Sequence, residues 1–432
     1  MTIVQRAASA DTGRTGTTPA LEIDDVALDF VAGDRRVRGL DGATLVIEPG
    51  TSVAVVGESG SGKSTLASLI GRLQPDAAVL ERGTVRVDGI DVASLDTAGI
   101  RAIRRSVLGF VPQDPIGSLD PTMRIGRQLA LVLRLTGQEA GRRAQAALLG
   151  RMQIADPERV LRLYPHQVSG GMAQRISIAI AMCRKPRILI ADEPTAALDS
   201  QVREGVIGLM FDEAEANGTT ILWLSHDLPA VSRWCDEIAV MYAGRVVEHG
   251  PARDVLAHPV HPYSSALAST DPSRVAMGER LLTIAGTPPV LHEAAHGCAF
   301  VDRCPVALDE CRTTRPTPVP ITIDGAPRES LCLRTEELVA AERAGGRRSC
   351  TSKGSGHDPA DTHHRTRRRP CRVLHRVGIR ARIRRRDGRR VLRDRAGRDA
   401  RARGRVGFRQ IHDGGGRTRT AARRRGSRAL PR

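Results

Sequence analysis

Residues 53–66 read Val-Ala-Val-Val-Gly-Glu-Ser-Gly-Ser-Gly-Lys-Ser-Thr-Leu. The four apolar residues Val53 to Val56 predict a buried parallel strand. Gly57, Glu58, Ser59, Gly60, Ser61, Gly62, Lys63 and Ser64 then fit the pattern G-x-x-x-x-G-K-[ST]. From Thr65 to Leu73 the apolar positions Leu66, Leu69, Ile70 and Leu73 recur at helical spacing. A glycine-rich loop between a strand and a helix is the context a phosphate cradle requires. Its glycines let backbone N–H groups converge on anionic oxygens, and the helix N-terminus adds partial positive charge. In that geometry Lys63 reaches the β- and γ-phosphates of a nucleotide, and the Ser64 hydroxyl ligates Mg²⁺.

On the N-terminal side, Leu21 to Phe30 alternates as a strand, Gly33-Asp34 marks a turn, and Val37 to Ile47 returns before Pro49-Gly50. Phe30 is placed either to stack on an adenine or to serve as a core aromatic. On the C-terminal side, Thr84 to Asp88 predicts a strand with a turn at Gly89. Val107 to Val111 predicts another, followed closely by Gln113. Helical periodicity runs from Ile125 to Ile154, and Pro157 interrupts it. Ser169-Gly170-Gly171 opens a helix through Cys183 and makes a second anion site. Arg187 to Ala191 is an apolar strand ending at Asp192-Glu193, an acid pair suited to Mg²⁺ and a water. Thr219 to Leu224 is a further strand, ending at Ser225-His226-Asp227.

The 432 residues leave room for two or three domains. Charge is unevenly placed: residues 345–432 hold 30 Lys and Arg against 6 Asp and Glu, which leaves 36 against 42 in residues 1–344. The basic balance therefore describes the C-terminal stretch and does not imply nucleic acid. Few aromatics argue against a stacking platform for single strands. No run of 18 apolar residues predicts a membrane span, and the first residues lack the apolar core of a secretion signal. A nucleotide site belongs in the cytosol, where the eight cysteines are expected as thiols or metal ligands rather than disulfides.

Taken in order over residues 21–250, these segments resemble an ABC-type nucleotide-binding subunit. Gly57–Ser64 matches the Walker A loop, Gln113 the Q-loop, Ile188–Glu193 Walker B, Ala197-Leu198-Asp199 the D-loop and His226 the switch histidine. Val168–Arg175 matches the signature motif, departing at its first residue and at Met172. The resemblance implies an α/β P-loop NTPase with a RecA-like core, a β-rich N-terminal part and a helical signature-bearing part. It implies ATP and Mg²⁺ contacted by the loop residues Gly57 to Thr65, with Asp192 in the Mg²⁺ shell and Gln113 sensing it. Glu193 would polarise the attacking water, and His226 would contact both the γ-phosphate and Glu193. Ser169, Gly170 and Gly171 would serve the ATP site of a second ABC domain, so that a lone chain hydrolyses poorly.

Beyond residue 250, His261-Pro262-Tyr263 resembles the oligopeptide/dipeptide (and nickel) importer ATPases, as do Gln113–Pro121 and Tyr164-Pro165-His166. That implies two membrane-spanning permease subunits, an extracytoplasmic solute-binding protein, and a peripheral place on the cytoplasmic face of the membrane. No nucleic-acid partner is expected; a soluble ABC ATPase acting on nucleic acid or ribosomes is the alternative. Cys298, Cys304, Cys311 and Cys332 fall within 35 residues. Thiolates suit an iron–sulphur cluster or zinc, and plain buried cysteines are the third reading. The importer resemblance favours a [4Fe–4S] cluster.

After Gly345 apolar periodicity ceases. A solvated basic tail is one reading. Val406-Gly407-Phe408-Arg409-Gln410-Ile411-His412-Asp413 offers another, because it can be encoded so that a shift of one base reads Ser-Gly-Ser-Gly-Lys-Ser-Thr, the sequence of Ser59–Thr65. The tail then reads as an out-of-frame second ABC domain. The expected organisation is a disordered 1–19, a nucleotide-binding domain over 20–250, a cysteine-bearing extension over 251–340 and a disordered tail over 341–432.

Overall fold

The computed structural model describes residues 18–195, 198, 200–274, 283–323 and 325–346. The expectations for residues 1–17, for the tail beyond 346, and for Ala197 and Asp199 of the D-loop lie outside the described residues. β1 (Leu21–Ala32) and β2 (Arg35–Ile47) pair antiparallel across Gly33, whose φ of 59° is left-handed backbone that glycine adopts without a steric penalty. β3 (Ser52–Val56) leads into the phosphate loop and α1 (Lys63–Ile70). β4 (Ala78–Val87) and β5 (Ile90–Asp91) complete a four-stranded sheet of order β2-β1-β4-β5. α2 (Thr97–Ser106) starts where the Asp96 carboxylate accepts the Gly99 N–H, and it leads to β6 (Leu108–Val111). Four helices follow: α3 (Ile125–Leu135), α4 (Arg142–Arg151), α5 (Pro157–Val160) and α6 (Gly170–Met182). Strands and helices then alternate through β7 (Ile188–Asp192), α7 (Ser200–Asn217), β8 (Thr220–Leu224), α8 (Leu228–Trp234) and β9 (Glu237–Tyr242). β10 (Arg245–Pro251), α9 (Ala252–Ala257), α10 (Pro262–Ser269), the hairpin β11 (Val319–Ile323) and β12 (Ala326–Ser330), and α11 (Thr335–Gly346) close the described chain.

The second sheet runs β11-β12-β10-β9-β3-β8-β7-β6. Its β9, β3, β8, β7 and β6 are mutually parallel, whereas β10, β12 and β11 pair antiparallel. Glu248 of β10 stands opposite Ser330 of β12, so the C-terminal hairpin extends the central sheet. The boundary expected at residue 250 thus falls inside β10.

Side chains alternate across the parallel strands and feed two cores. Val53 and Val55 of β3, with Leu222 and Leu224 of β8, pack towards the N-terminal sheet and α1. Ala54 and Val56, with Ile221 and Trp223, pack on the other face with α3, α4, α6 and α7. Phe300 and Leu331 of the extension belong to that second core.

Four local expectations are corrected. α1 stops at Ile70 rather than Leu73, because Gly71 caps it and Arg72 turns to a φ of 49°. The strand expected at Thr84 begins at Ala78, drawn out by pairing along β1 as far as Phe30. The helix expected over Ile125–Ile154 is two helices, parted at Gly137, which takes a φ of 70°. Pro157 opens α5 rather than only ending the preceding run. Its missing N–H costs nothing in the first turn, and the Asp156 side chain accepts the Arg159 N–H.

Candidate functional site

Parallel pairing aligns the C-terminal ends of β3, β6, β7 and β8 along one edge of the sheet, where open α/β folds place ligands. Each strand delivers chemistry within a few residues of its end. The loop after β3 packs so tightly that glycine is required at two points. A Cβ on Gly57 would lie 2.2 Å from the Met241 carbonyl oxygen, and one on Gly62 would lie 2.7 Å from that of Gly39. Both glycines, and Gly60, have positive φ. Lys63 is buried, and its Nζ donates to the carbonyls of Gly57 (2.7 Å) and Glu58 (3.0 Å) and towards Ser61 Oγ at 3.5 Å. Burial pushes its amine down, opposed by the charges of Glu193, Asp192 and Glu58.

Asp192, the last residue of β7, accepts the Ser64 hydroxyl at 3.4 Å. Burial pushes its carboxyl up; the Ser64 hydrogen bond opposes that, and neighbouring Glu193 adds to it. Glu193 holds a φ of 43°, an uncommon conformation for a non-glycine residue, while its N–H donates to the Leu224 carbonyl. Its carboxylate is flanked from both sides. Gln113 Nε2, two residues beyond β6, donates to Oε2 at 3.3 Å, and His226 Nδ1, two beyond β8, stands 3.3 Å from Oε1. Lys63, Ser64, Gln113, Asp192, Glu193 and His226 therefore form one linked constellation, joined from four strand ends.

Other predicted residues stand apart from it. Ser169 caps α6 by accepting the Met172 N–H, and Gly170 and Gly171 face Leu198 and Val202. Among the described residues, no hydrogen bond or ion pair joins Ser169, Gly170 or Gly171 to the loop around Lys63. Phe30 is half-buried against the core below β3, with its ring edge at Gly39 beside the Thr65 methyl. Ser59 and Gly60 form the exposed crest of the loop, where Ser61 N–H donates to the Glu58 carbonyl.

Sequence reasoning missed what holds Glu58. Its carboxylate receives both guanidinium arms of Arg303, at 2.7 and 3.0 Å, and its N–H donates to the Tyr263 hydroxyl at 2.8 Å. Arg303 lies 245 residues away, and nothing in local spacing signals the pairing. Tyr263 is fully buried and set by its own motif. His261 Nδ1 accepts the Tyr263 N–H at 3.0 Å, and the Glu248 carboxylate accepts the N–H groups of Val260 and His261 at 2.9 Å each.

Cys298, Cys304, Cys311 and Cys332 line a single small cavity with Phe300 and Pro262. Cys298 N–H donates to the Cys311 carbonyl at 2.8 Å, and Arg334 N–H points at Cys332 Sγ at 3.4 Å. Burial raises the thiols of Cys298 and Cys304, and that of Cys332 to about 11. Among the described residues, no three His, Cys, Asp or Glu side chains are grouped to hold a metal ion. No described helix is long and apolar enough to cross a membrane.

The ABC transporter family profile matches residues 40–196, and that of the oligopeptide/dipeptide transporter C-terminal region matches residues 247–311. A probable D,D-dipeptide transport ATP-binding protein of Escherichia coli K12 is 41% identical over 299 residues, covering 68% of this chain and 91% of that protein. An oligopeptide transport ATP-binding protein of Mycobacterium bovis is 38% identical over 332 residues, covering 76% of this chain and 54% of that protein. The chain thus spans about half the length of that relative and of its Mycobacterium tuberculosis counterpart. A solved dimeric bacterial ABC transporter cassette is 32% identical, with a TM-score of 0.49, covering 54% of this chain and 99% of the cassette.

Proposed function

The chain belongs to the ATP-binding proteins of ABC transporters, in the oligopeptide/dipeptide branch, and on that footing we propose that it hydrolyses ATP to drive uptake of di- or oligopeptides. The observation that carries the ATP reading is the gathering of six polar side chains at one sheet edge, delivered from the ends of four strands. The relatives' names carry the peptide reading; nickel, as a related cargo, comes only from the importer resemblance of the sequence.

In this reading the loop N–H groups and the start of α1 receive the triphosphate, and Lys63 exchanges its two carbonyl partners for phosphate oxygens. The Ser64 hydroxyl and Asp192 carboxylate, already in contact, suit one hard cation, whose charge would oppose the upward push that burial gives the Asp192 carboxyl. Bound Mg²⁺ supplies neutralisation of phosphate charge there. Glu193 takes a proton from the attacking water, worth about 10²–10⁴ in rate. His226 and Gln113 fix its carboxylate, and His226 reaches the γ-phosphate. Ser169-Gly170-Gly171 is left to serve the nucleotide of a second ABC domain. The remaining partners are two membrane-spanning permease subunits, fed by an extracytoplasmic solute-binding protein, with this chain peripheral on the cytoplasmic face.

In this reading the four cysteines hold the [4Fe–4S] cluster that the importer resemblance implies, although no three of the described donors are grouped around a single ion site. All four line one cavity, and the Arg334 N–H aimed at Cys332 is the kind of bond that surrounds cluster sulphurs. The cluster would tie the 298–311 turns to Cys332 as a structural group.

In liposomes holding the assembled transporter, Glu193→Gln should retain ATP binding and lose peptide uptake. Uptake at the wild-type rate would remove Glu193 as the base, and nickel uptake without peptide uptake would reassign the cargo. Anaerobically purified chain should be brown, and Cys304→Ser should bleach it; colourless protein with four titratable thiols would remove the cluster.

A further inference from the structure

Glu58 is the one carboxylate inside the phosphate loop, on the loop that the foregoing reading gives to a triphosphate. An unpaired negative charge there opposes an anionic ligand, and its field already reaches Lys63. Its carboxylate is not free. Arg303 grips both oxygens in a bidentate pair, and the Arg303 side chain is only 5% exposed. Further contacts fix that guanidinium: bonds to the Tyr242 hydroxyl at 3.2 Å, the Ala285 carbonyl at 2.8 Å and the Ile284 carbonyl at 3.4 Å, and the rings of Tyr242 and Phe300 against its face. The Glu58 backbone is held independently, by its N–H on the Tyr263 hydroxyl. Tyr263 packs in turn against Tyr242 and Phe300.

We propose that Arg303 and Tyr263 are positioning residues for the nucleotide site. They neutralise Glu58, draw it away from the phosphates and hold the loop in its anion-accepting shape. The C-terminal extension is then part of the ATP site, though it touches no phosphate. A planar, always-charged fork suits this task because it satisfies both carboxylate oxygens at once, which a lysine does not. The proposal also assigns a consequence to position. Arg303 lies between Phe300 and Cys304, both of which line the four-cysteine cavity, so a change in that cavity reaches the phosphate loop through one turn of chain.

The inference rests on the loop binding nucleotide, and the test separates the two. Affinity of the full chain for a fluorescent ATP analogue is measured for wild type, Arg303→Met, Arg303→Lys, Tyr263→Phe and the double variant Arg303→Met/Glu58→Gln, each with its thermal midpoint. Arg303→Met should weaken binding about tenfold by exposing the Glu58 charge. Arg303→Lys should recover part of that, and adding Glu58→Gln to Arg303→Met should recover most of it. Tyr263→Phe, which keeps the ring in its packing, should weaken binding about threefold. A residue that only stabilises the fold would lower the midpoint without changing affinity and would not be rescued at Glu58. If wild type binds and the variants bind equally well, the positioning role is overturned. If wild type itself does not bind, the nucleotide reading falls first. Should Arg303→Met fail to fold, Arg303→Lys and Tyr263→Phe decide the matter alone.

Discussion

The edge of the parallel sheet and the four-cysteine extension are built on opposite plans. At the sheet edge the backbone does the positioning: strand register brings Gln113, Asp192, Glu193 and His226 together, and each side chain needs only a short reach. In the extension, 3₁₀ turns at Val301–Arg303 and Asp309–Arg312 carry the chemistry, and side chains hold the backbone. Arg303 spans to Glu58, Arg315 to Asp41, and Arg334 to the Val306 carbonyl. In a site of the first kind each side chain takes its place from its own strand, and distant residues such as Arg303 and Tyr263 act on it only through Glu58. A region of the second kind is only as firm as the core it leans on, and Phe300 places it on the main one.

That contrast predicts where mutations act. Phe300→Ala should have the largest effect, about 3–5 kcal/mol of stability, because a fully buried ring leaves a cavity among Tyr242, Tyr263 and His261. Since Phe300 shares a core with Ala54 and Val56, denaturant melts followed by Trp223 fluorescence should show the central sheet destabilised with it. A separate early transition that leaves Trp223 untouched would mean that the extension folds independently. Lys63→Ala should do the reverse. Affinity for ATP should fall about a hundredfold, roughly 2.7 kcal/mol by the ordinary conversion, while the melting midpoint stays near wild type. Equal losses in both readouts would break the distinction between a site carried by backbone and an extension carried by side chains.

The same contrast sets what can be read from the sequence. The phosphate loop, the Asp192-Glu193 pair and His226 are local signals at strand ends, and short apolar runs place the ends of β3 and β8 at Val56 and Leu224 and that of β7 to within one residue. The helix over Ile125–Ile154 misleads because its apolar spacing continues across Gly137, where only the positive φ ends it. Phe30 stays ambiguous because half-burial beside Thr65 serves either role. The Glu58–Arg303 pair has no local signature at all: both are ordinary charged residues until the fold brings them together. The shared cavity of the four cysteines lies between these cases. Their clustering in sequence is plain, while their facing one cavity depends on the packing of Phe300 and Pro262.

The smallest expected effect tests the joint between the two regions. His261 is fully buried, and burial pushes its imidazole down to about 3, against about 6.5 for an exposed histidine. The neutral ring accepts the Tyr263 N–H at Nδ1, and its pKa also feels a hydrogen bond with the Leu331 backbone. Between the two pKa values the unfolded chain binds a proton that the folded chain does not, so stability rises with pH across that window and is lost on acidification below about 6.5. At pH 5 this comes to about 2 kcal/mol relative to pH 7 or above. Neighbouring Glu248 slopes the other way: burial pushes its carboxyl up, so above about 4.5 the folded state retains a proton that the unfolded chain releases. His261→Asn separates the two, because the amide oxygen can still accept the Tyr263 N–H at the start of α10 while the titrating ring is gone. Urea unfolding at pH 7 and pH 5 should show wild type losing about 2 kcal/mol more than His261→Asn on acidification. Parallel losses would mean that the ring titrates normally in the folded chain. The hold of the His-Pro-Tyr turn on Tyr263, and through it on the Glu58 backbone, would then need another basis.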